Sequence, residues 1–207
     1  MVTDEEQVED LKKWWQRNGR HVTTGAVIGL AAVLGLRAWW DYQERQRLSA
    51  STEYEQFQAE FSQGNTDAVL RRGNYLIENY SGTPYAVIAA LTLAKVHVDR
   101  GELPAAKQQL QWVVDKAKAP ELVHIARLRL ARVIAAEGDP AAAIKVLESV
   151  DAGMFAASYD ELKGDLYVAA GDRDQARAAY RKAIAELNSG AGSDLVQMKL
   201  DDLGAEG

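Results

Sequence analysis

The chain has 207 residues, 47% of them hydrophobic and 26% charged, with a net charge of −6 and no cysteine. This composition excludes a disordered chain, a collagen-like fibre and a polytopic membrane protein. It also excludes a disulfide framework, a Cys-held zinc or iron–sulfur site and a thiol nucleophile, and the acidic balance argues against nucleic acid as a partner.

Residues 1–48 balance seven basic side chains against seven acidic ones, so the rest of the chain carries the whole net charge. Within this first segment, Val22 to Leu36 form the uncharged run VTTGAVIGLAAVLGL. As a helix this run covers about 22 Å, short of the ~30 Å hydrocarbon core. Arg37 can snorkel, and Ala38, Trp39 and Trp40 extend the apolar span to residues 22–40, about 28 Å. Trp14 and Trp15 on one side and Trp39 and Trp40 on the other sit where an aromatic belt would. A buried core helix is the alternative, but four Trp around a Gly/Ala/Val/Leu run suit a bilayer better. The preceding arm, residues 1–21, carries Asp4, Glu5, Glu6, Glu9 and Asp10, and the run ends in Arg-Ala-Trp-Trp-Asp rather than a small-x-small site. The expectation is therefore an uncleaved signal anchor. Lys12, Lys13, Arg17 and Arg20 precede the span and Arg37, Arg45 and Arg47 follow it. That bias, with a long acidic domain after the span, predicts a cytoplasmic N-terminus and a C-terminal domain across the membrane. Gly25 and Gly29 make a GxxxG step, a candidate for packing between transmembrane helices, with chance spacing as the alternative.

Residues 41–53 read as a helical connector, since Trp39 to Ser62 contains neither Pro nor Gly. Residues 54–188 read as an all-α, tetratricopeptide-like repeat solenoid. Pro84, Pro104, Pro120 and Pro140 are spaced 20, 16 and 20 residues apart, and Thr83 and Asp139 stand before two of them as caps for helix starts. Gly64, Gly101, Gly138 and Gly171, at intervals of 37, 37 and 33, mark the turn inside each helix pair. The last unit is clearest, with Gly164, Tyr167, Ala176, Tyr180 and Ala183 alternating small and aromatic residues, and Asp172 as an N-cap. Gly164 is expected to face Ala176 where the two helices meet. Ala131, Ile134, Gly138, Ala143 and Leu147 fill the same slots one unit earlier, and Ala94, His97, Gly101, Ala106 and Leu110 the unit before that. The first unit, with Tyr54, Phe57, Phe61, Val69, Leu76 and Tyr80, is degenerate: Gly73 falls where an aromatic is expected. Ser189 to Gly192 should break the last repeat helix. In residues 189–207, Ser193 and Asp194 should then cap a short helix bearing Leu195, Val196, Leu200 and Leu203 over the open end.

No catalytic, cofactor-binding or metal-binding set is found. His21, His97 and His124 are scattered, and His97 reads as a packing residue rather than half of a ligand pair with Asp99. No phosphate-binding loop, dinucleotide fingerprint or nucleophile elbow is present. Binding is the more natural use. The repeat register places Ile88, Leu91, Lys95, Val98 and Asp99 of one unit, Ile125, Leu128 and Arg132 of the next, and Glu161, Asp165 and Val168 of the last on the concave face. That face would be apolar in the middle, with cations on one part and acids on another, unless several of these apolar residues pack inside the array. It lacks the clustered Lys/Asn set that clamps a C-terminal carboxylate in cytosolic chaperone adaptors. It would suit extended or helical polypeptide of loose sequence.

The Lys12-Lys13-Trp14-Trp15 and Trp39-Trp40-Asp41 flanks, Tyr54-x-x-Phe57, the Gly164–Ala183 repeat and Met198-Lys199-Leu200-Asp201 together resemble the YfgM family. The resemblance spans essentially the whole chain and rests on order and spacing. It implies an ancillary subunit of the bacterial Sec (SecYEG) translocon, anchored in the inner membrane with its C-terminal domain in the periplasm. It also implies association with the membrane-anchored chaperone PpiD, and chaperone-like help to nascent or unfolded envelope proteins. No enzyme activity and no cofactor are implied. A structural assembly factor that docks one fixed partner in an envelope complex is the alternative.

Overall fold

In the computed structural model, residues 4–187 and 191–204 are described, and among them the secondary structure is helical, with nine α-helices and one short 3-10 turn. The chain divides after Ser49 into two units. The first consists of the N-terminal part of α1 (Asp4–Ser62), a single unbroken helix through which both Trp pairs pass. Its apolar run is bare: Val27, Ile28, Leu30, Val33 and Leu34 are all exposed, and none of the run is buried. The helix is long and apolar enough to cross a membrane and is a candidate membrane span. Its hydroxyls are satisfied within the helix. Thr23 Oγ1 donates to the Gly19 carbonyl at 2.8 Å and Thr24 Oγ1 to that of Arg20 at 2.7 Å.

The second unit stacks helices in chain order. The end of α1 is followed by α2 (Thr66–Asn79), α3 (Pro84–Asp99), α4 (Leu103–Lys116), α5 (Pro120–Ala136), α6 (Pro140–Glu148), α7 (Ala156–Ala169), α8 (Arg173–Leu187) and α9 (Ala191–Asp202). From α2 onward each helix packs mainly on the next, which is the one-dimensional contact pattern of a solenoid. All four prolines lie at the first or second position of a helix, and Thr83 and Asp139 accept from the backbone N–H groups of Ala86 and Ala142, as their sequence positions imply.

The four turn glycines share one geometry. Gly64, Gly101, Gly138 and Gly171 have φ of 72°, 76°, 97° and 79°. After each, the next N–H reaches back to a carbonyl five residues earlier, as from Glu102 to His97 at 2.8 Å and from Asp172 to Tyr167 at 2.9 Å. This is the Schellman stop, which closes the first helix of each pair with a left-handed residue. Asp172 then accepts from the Gln175 N–H as the N-cap of α8.

Two expectations about packing change. Gly164 does not find Ala176 as its nearest neighbour; a Cβ there would meet the ring of Tyr180 at 2.3 Å. Gly73 is not merely a degenerate position. A Cβ on it would stand 2.1 Å from Cδ1 of the fully buried Leu93, so the absent side chain lets α2 and α3 approach. The first unit thus places the small residue on its second helix and the large one on the next unit's first helix.

The break expected at Ser189 to Gly192 falls partly outside the described residues. Helix α9 already begins at Ala191, so Ser193 and Asp194 occupy its first turn rather than capping it. Val196 is fully buried against Ala176, Tyr180 and Ala183, with Leu200 and Leu203 partly buried beside it, whereas Leu195 is exposed.

Candidate functional site

The first helices of the second and third units, α3 and α5, frame an open trough. Helix α3 is rich in alanine: Ala86, Ala89, Ala90 and Ala94 are buried, and such small side chains let neighbouring helices come close. Two hollows run along this seam. One, of about 340 Å³, is lined by Ile88, Leu91, Thr92 and Lys95 of α3, by Leu122, Ile125 and Arg129 of α5, and by Phe61. The other, of about 280 Å³, takes in Ala94, Lys95 and Val98, then Leu103 and Leu110 of α4, and Arg129, Arg132, Val133 and Ala136 of α5. The hollows share Lys95 and Arg129, so they meet end to end.

The structure brings together Ile88, Leu91, Lys95, Val98, Ile125 and Arg132 around this trough. Leu91, 9% exposed, forms part of its floor. Leu128 does not join them. At 8% exposure it lies in the main core cluster with Val87, Ala126 and Leu130, which corrects its placement on the open face. The trough-facing stripe of α5 runs Leu122, Ile125, Arg129, Arg132 and Ala136, in alternating steps of three and four that keep one helix face. Leu128 lies one residue off that stripe. Sequence reasoning missed Leu122 and Arg129 because it transferred the spacing of α3 unchanged to α5. Following the helical stripe outward from Ile125 would have found both.

Asp99 is exposed at the end of α3 and forms an ion pair with Lys95 one turn earlier. His97 turns away from the trough, and its Nδ1–H donates to the Glu102 carboxylate at 2.7 Å. That hydrogen bond, opposed by a little desolvation and aided by the Arg100 charge, holds Glu102 below the usual carboxylate range. His97 thus ties the end of α3 to the turn that follows it.

The last unit is a different surface. Lys199 of α9 bonds Glu161 Oε1 at 2.7 Å and both Asp165 oxygens at 2.8 and 3.0 Å, and the Tyr180 hydroxyl donates to Asp165 Oδ1 at 2.8 Å. Burial, then the Asp165 hydrogen bond and charge, push the Tyr180 phenol well above its ordinary range. Burial pulls the Lys199 ammonium down, but the bonds and charges of Asp165 and Glu161 outweigh it and raise it. Glu161 and Asp165 are therefore engaged by the chain's own last helix rather than offered to a ligand, while Val168 stays exposed. Arg177 adds a second fastening. Its guanidinium spans Asp174 and the Leu203 carbonyl, at 2.9 and 3.2 Å, which closes the C-terminal end of α9 with a cation.

In the helical run of α1, Gly25 and Gly29 leave open space where a Cβ would stand. Among the described residues, no group of three or more His, Asp or Glu could hold a metal ion.

The family model described as a tetratricopeptide repeat-like domain matches residues 12–205. A protein of Escherichia coli (strain K12) named ancillary SecYEG translocon subunit is 30% identical over 200 residues, covering 97% of this chain and 96% of its own. Its namesake in Aggregatibacter actinomycetemcomitans is 30% identical, covering 98% of both chains, and that of Haemophilus influenzae 28%, again 98% of both. The crystal structure of MamA superimposes with a TM-score of 0.50 at 20% identity, over 71% of this chain and 86% of that one, a likeness of fold alone. With a tetratricopeptide-like array behind a bare apolar helix, and relatives matched from end to end, the chain belongs to the YfgM family of ancillary SecYEG translocon subunits.

Proposed function

We propose that this chain is a single-pass inner-membrane protein that works beside the Sec translocon and holds a polypeptide in the trough between α3 and α5. Residues 22–40 span the bilayer, the arm 1–21 lies in the cytoplasm, and the connector 41–53, the repeats 54–188 and the cap 189–207 lie in the periplasm. The observation that carries the reading is the open apolar seam itself. Along about three helical turns Ile88 and Val98 are exposed, and Leu122 and Ile125 are half-buried beside them, all lining one continuous apolar seam. Exposed apolar grooves between helices suit peptide segments. The names of the relatives supply the place of work, and the family resemblance supplies PpiD and newly exported envelope proteins as the polypeptides.

Photo-crosslinking in cells tests this. A crosslinker at Ile88, Val98 or Ile125 should capture translocon subunits, PpiD or newly exported chains, while one at Gln108 or Lys145, exposed on second helices, should capture far less. Equal or empty capture at both sets would refute the trough. Capture of a single protein in fixed stoichiometry would instead make the chain an assembly factor. A reporter fused after Gly207 reads the side of the membrane, and cytoplasmic activity would refute the topology.

A further inference from the structure

We infer that the segment seated in the trough is acidic as well as apolar, and that Arg129 and Arg132 read its carboxylates. This rests on the reading of the trough as a polypeptide site and specifies the chemistry of its occupant. The linings of the two hollows contain Lys95, Arg129 and Arg132 and not one carboxylate, in a chain whose net charge is −6. Lys95 is balanced by Asp99. Arg129 and Arg132 are exposed, and neither has an ion-pair partner among the described residues.

Three residues apart on one helix face, the two guanidiniums repel each other mildly, and a bound carboxylate would relieve that repulsion. Arg129 sits where the two hollows meet and Arg132 lines the second hollow, both beside apolar surface that lowers the local dielectric and strengthens a charge-assisted, two-pronged bond. The seam from Ile88 to Val98 is about 15 Å long, enough for four or five extended residues. An occupant of that length places apolar side chains in both hollows and one or two acids at their junction. A basic or purely apolar segment would leave the arginines unanswered.

The test uses the full chain in nanodiscs of uncharged phosphatidylcholine and three fluorescent decapeptides of leucine, phenylalanine and alanine. One carries two central glutamates, the second glutamines in their place, the third lysines. The glutamate peptide should bind roughly tenfold more tightly than the glutamine peptide, with the lysine peptide weakest. The double variant Arg129→Gln/Arg132→Gln should bring the glutamate-to-glutamine ratio within about twofold, and Arg129→Glu/Arg132→Glu should turn the preference to the lysine peptide. Equal binding of the glutamate and glutamine peptides by the wild type, or an unchanged ratio in both variants, overturns the inference but leaves the trough standing as a polypeptide site. Binding of all three peptides that is indifferent to Ile125→Glu overturns the trough itself, and the inference with it. A wild-type dimer that the double glutamine variant converts to monomer would give the trough to a second copy and overturn the assignment of a foreign acidic segment.

Discussion

The ring of Tyr180 lies across Gly164, so that a Cβ on the glycine would stand 2.3 Å from one ring carbon and 2.4 Å from the next. The same tyrosine donates its hydroxyl to Asp165, one residue further along α7. Glycine in mid-helix costs about 1 kcal/mol relative to alanine, and here it is the condition for the ring to lie flat on the helix. Replacing Gly164 with Ala should therefore destabilise the array by about 1–3 kcal/mol, against the gain expected from helix propensity alone. Denaturant unfolding followed by helical circular dichroism would show it. The double variant Gly164→Ala/Tyr180→Leu should recover part of the loss, and an unshifted midpoint in the single variant would contradict the contact.

The corresponding prediction for the first unit is Gly73→Ala. The methyl would stand 2.1 Å from Leu93, a side chain with no exposed surface into which it could swing. A loss of about 1–3 kcal/mol is expected, eased by the smaller Leu93→Val partner. Additive single and double variants would mean that the two positions do not touch.

These two contacts mark the limit of what the sequence conveys. The turn glycines and proline helix starts were legible because each answers a local demand: a left-handed φ in the one case, a missing N–H at a helix start in the other. The repeat followed from their spacing. Gly73 was not legible, because its reason is Leu93, which lies twenty residues away across a helix pair. The trough was legible on α3 and shifted on α5, where transferring the register chose buried Leu128 over exposed Arg129. The acids Glu161 and Asp165 looked available because the reach of Lys199 depends on how α9 folds back, and no spacing encodes that.

Leu128→Glu should unfold the array rather than probe its binding. The residue is 8% exposed and sits in the main apolar cluster, so a carboxylate there is either desolvated or forced to carry a proton. The expected loss is above about 3 kcal/mol. Ile125→Glu, on the trough lining, should keep the fold and weaken partner capture. Thermal melts of the two variants side by side separate the cases. Equal melting temperatures would place Leu128 at the surface.

The bare helix predicts its own dependence on lipid. Leu30→Arg with Leu34→Arg puts two charges on one face in the middle of the apolar run, at about 2.5–3.5 kcal/mol each on insertion scales. Carbonate extraction of membranes should release the variant and retain the wild type. Retention of both would assign the run to something other than a membrane span.

The fastening of α9 predicts an alkaline limit to the stability of the C-terminal end. Tyr180 and Lys199 both have folded pKa values raised above their ordinary 10.0 and 10.5. A group raised in the folded state binds its proton more tightly there than in the unfolded chain. Its contribution is therefore complete below the unfolded value and is lost as pH climbs through the folded one. The cluster of Lys199, Glu161, Asp165 and Tyr180 should be intact at pH 8 and loosen from about pH 10 upward, where the unfolded chain begins to release the same protons. Arg177 holds the Leu203 carbonyl independently of that cluster, so α9 should detach only at its Lys199 side in the wild type. Lys199→Met should remove the Lys199 share of that alkaline transition and open α9 to protease already at pH 8, and Arg177→Met added to it should free the helix entirely. Limited proteolysis across pH, read by the mass of the released C-terminal peptide, measures each step. Cleavage that is identical in wild type and Lys199→Met at every pH would show that Val196, Leu200 and Leu203 hold α9 by apolar burial alone.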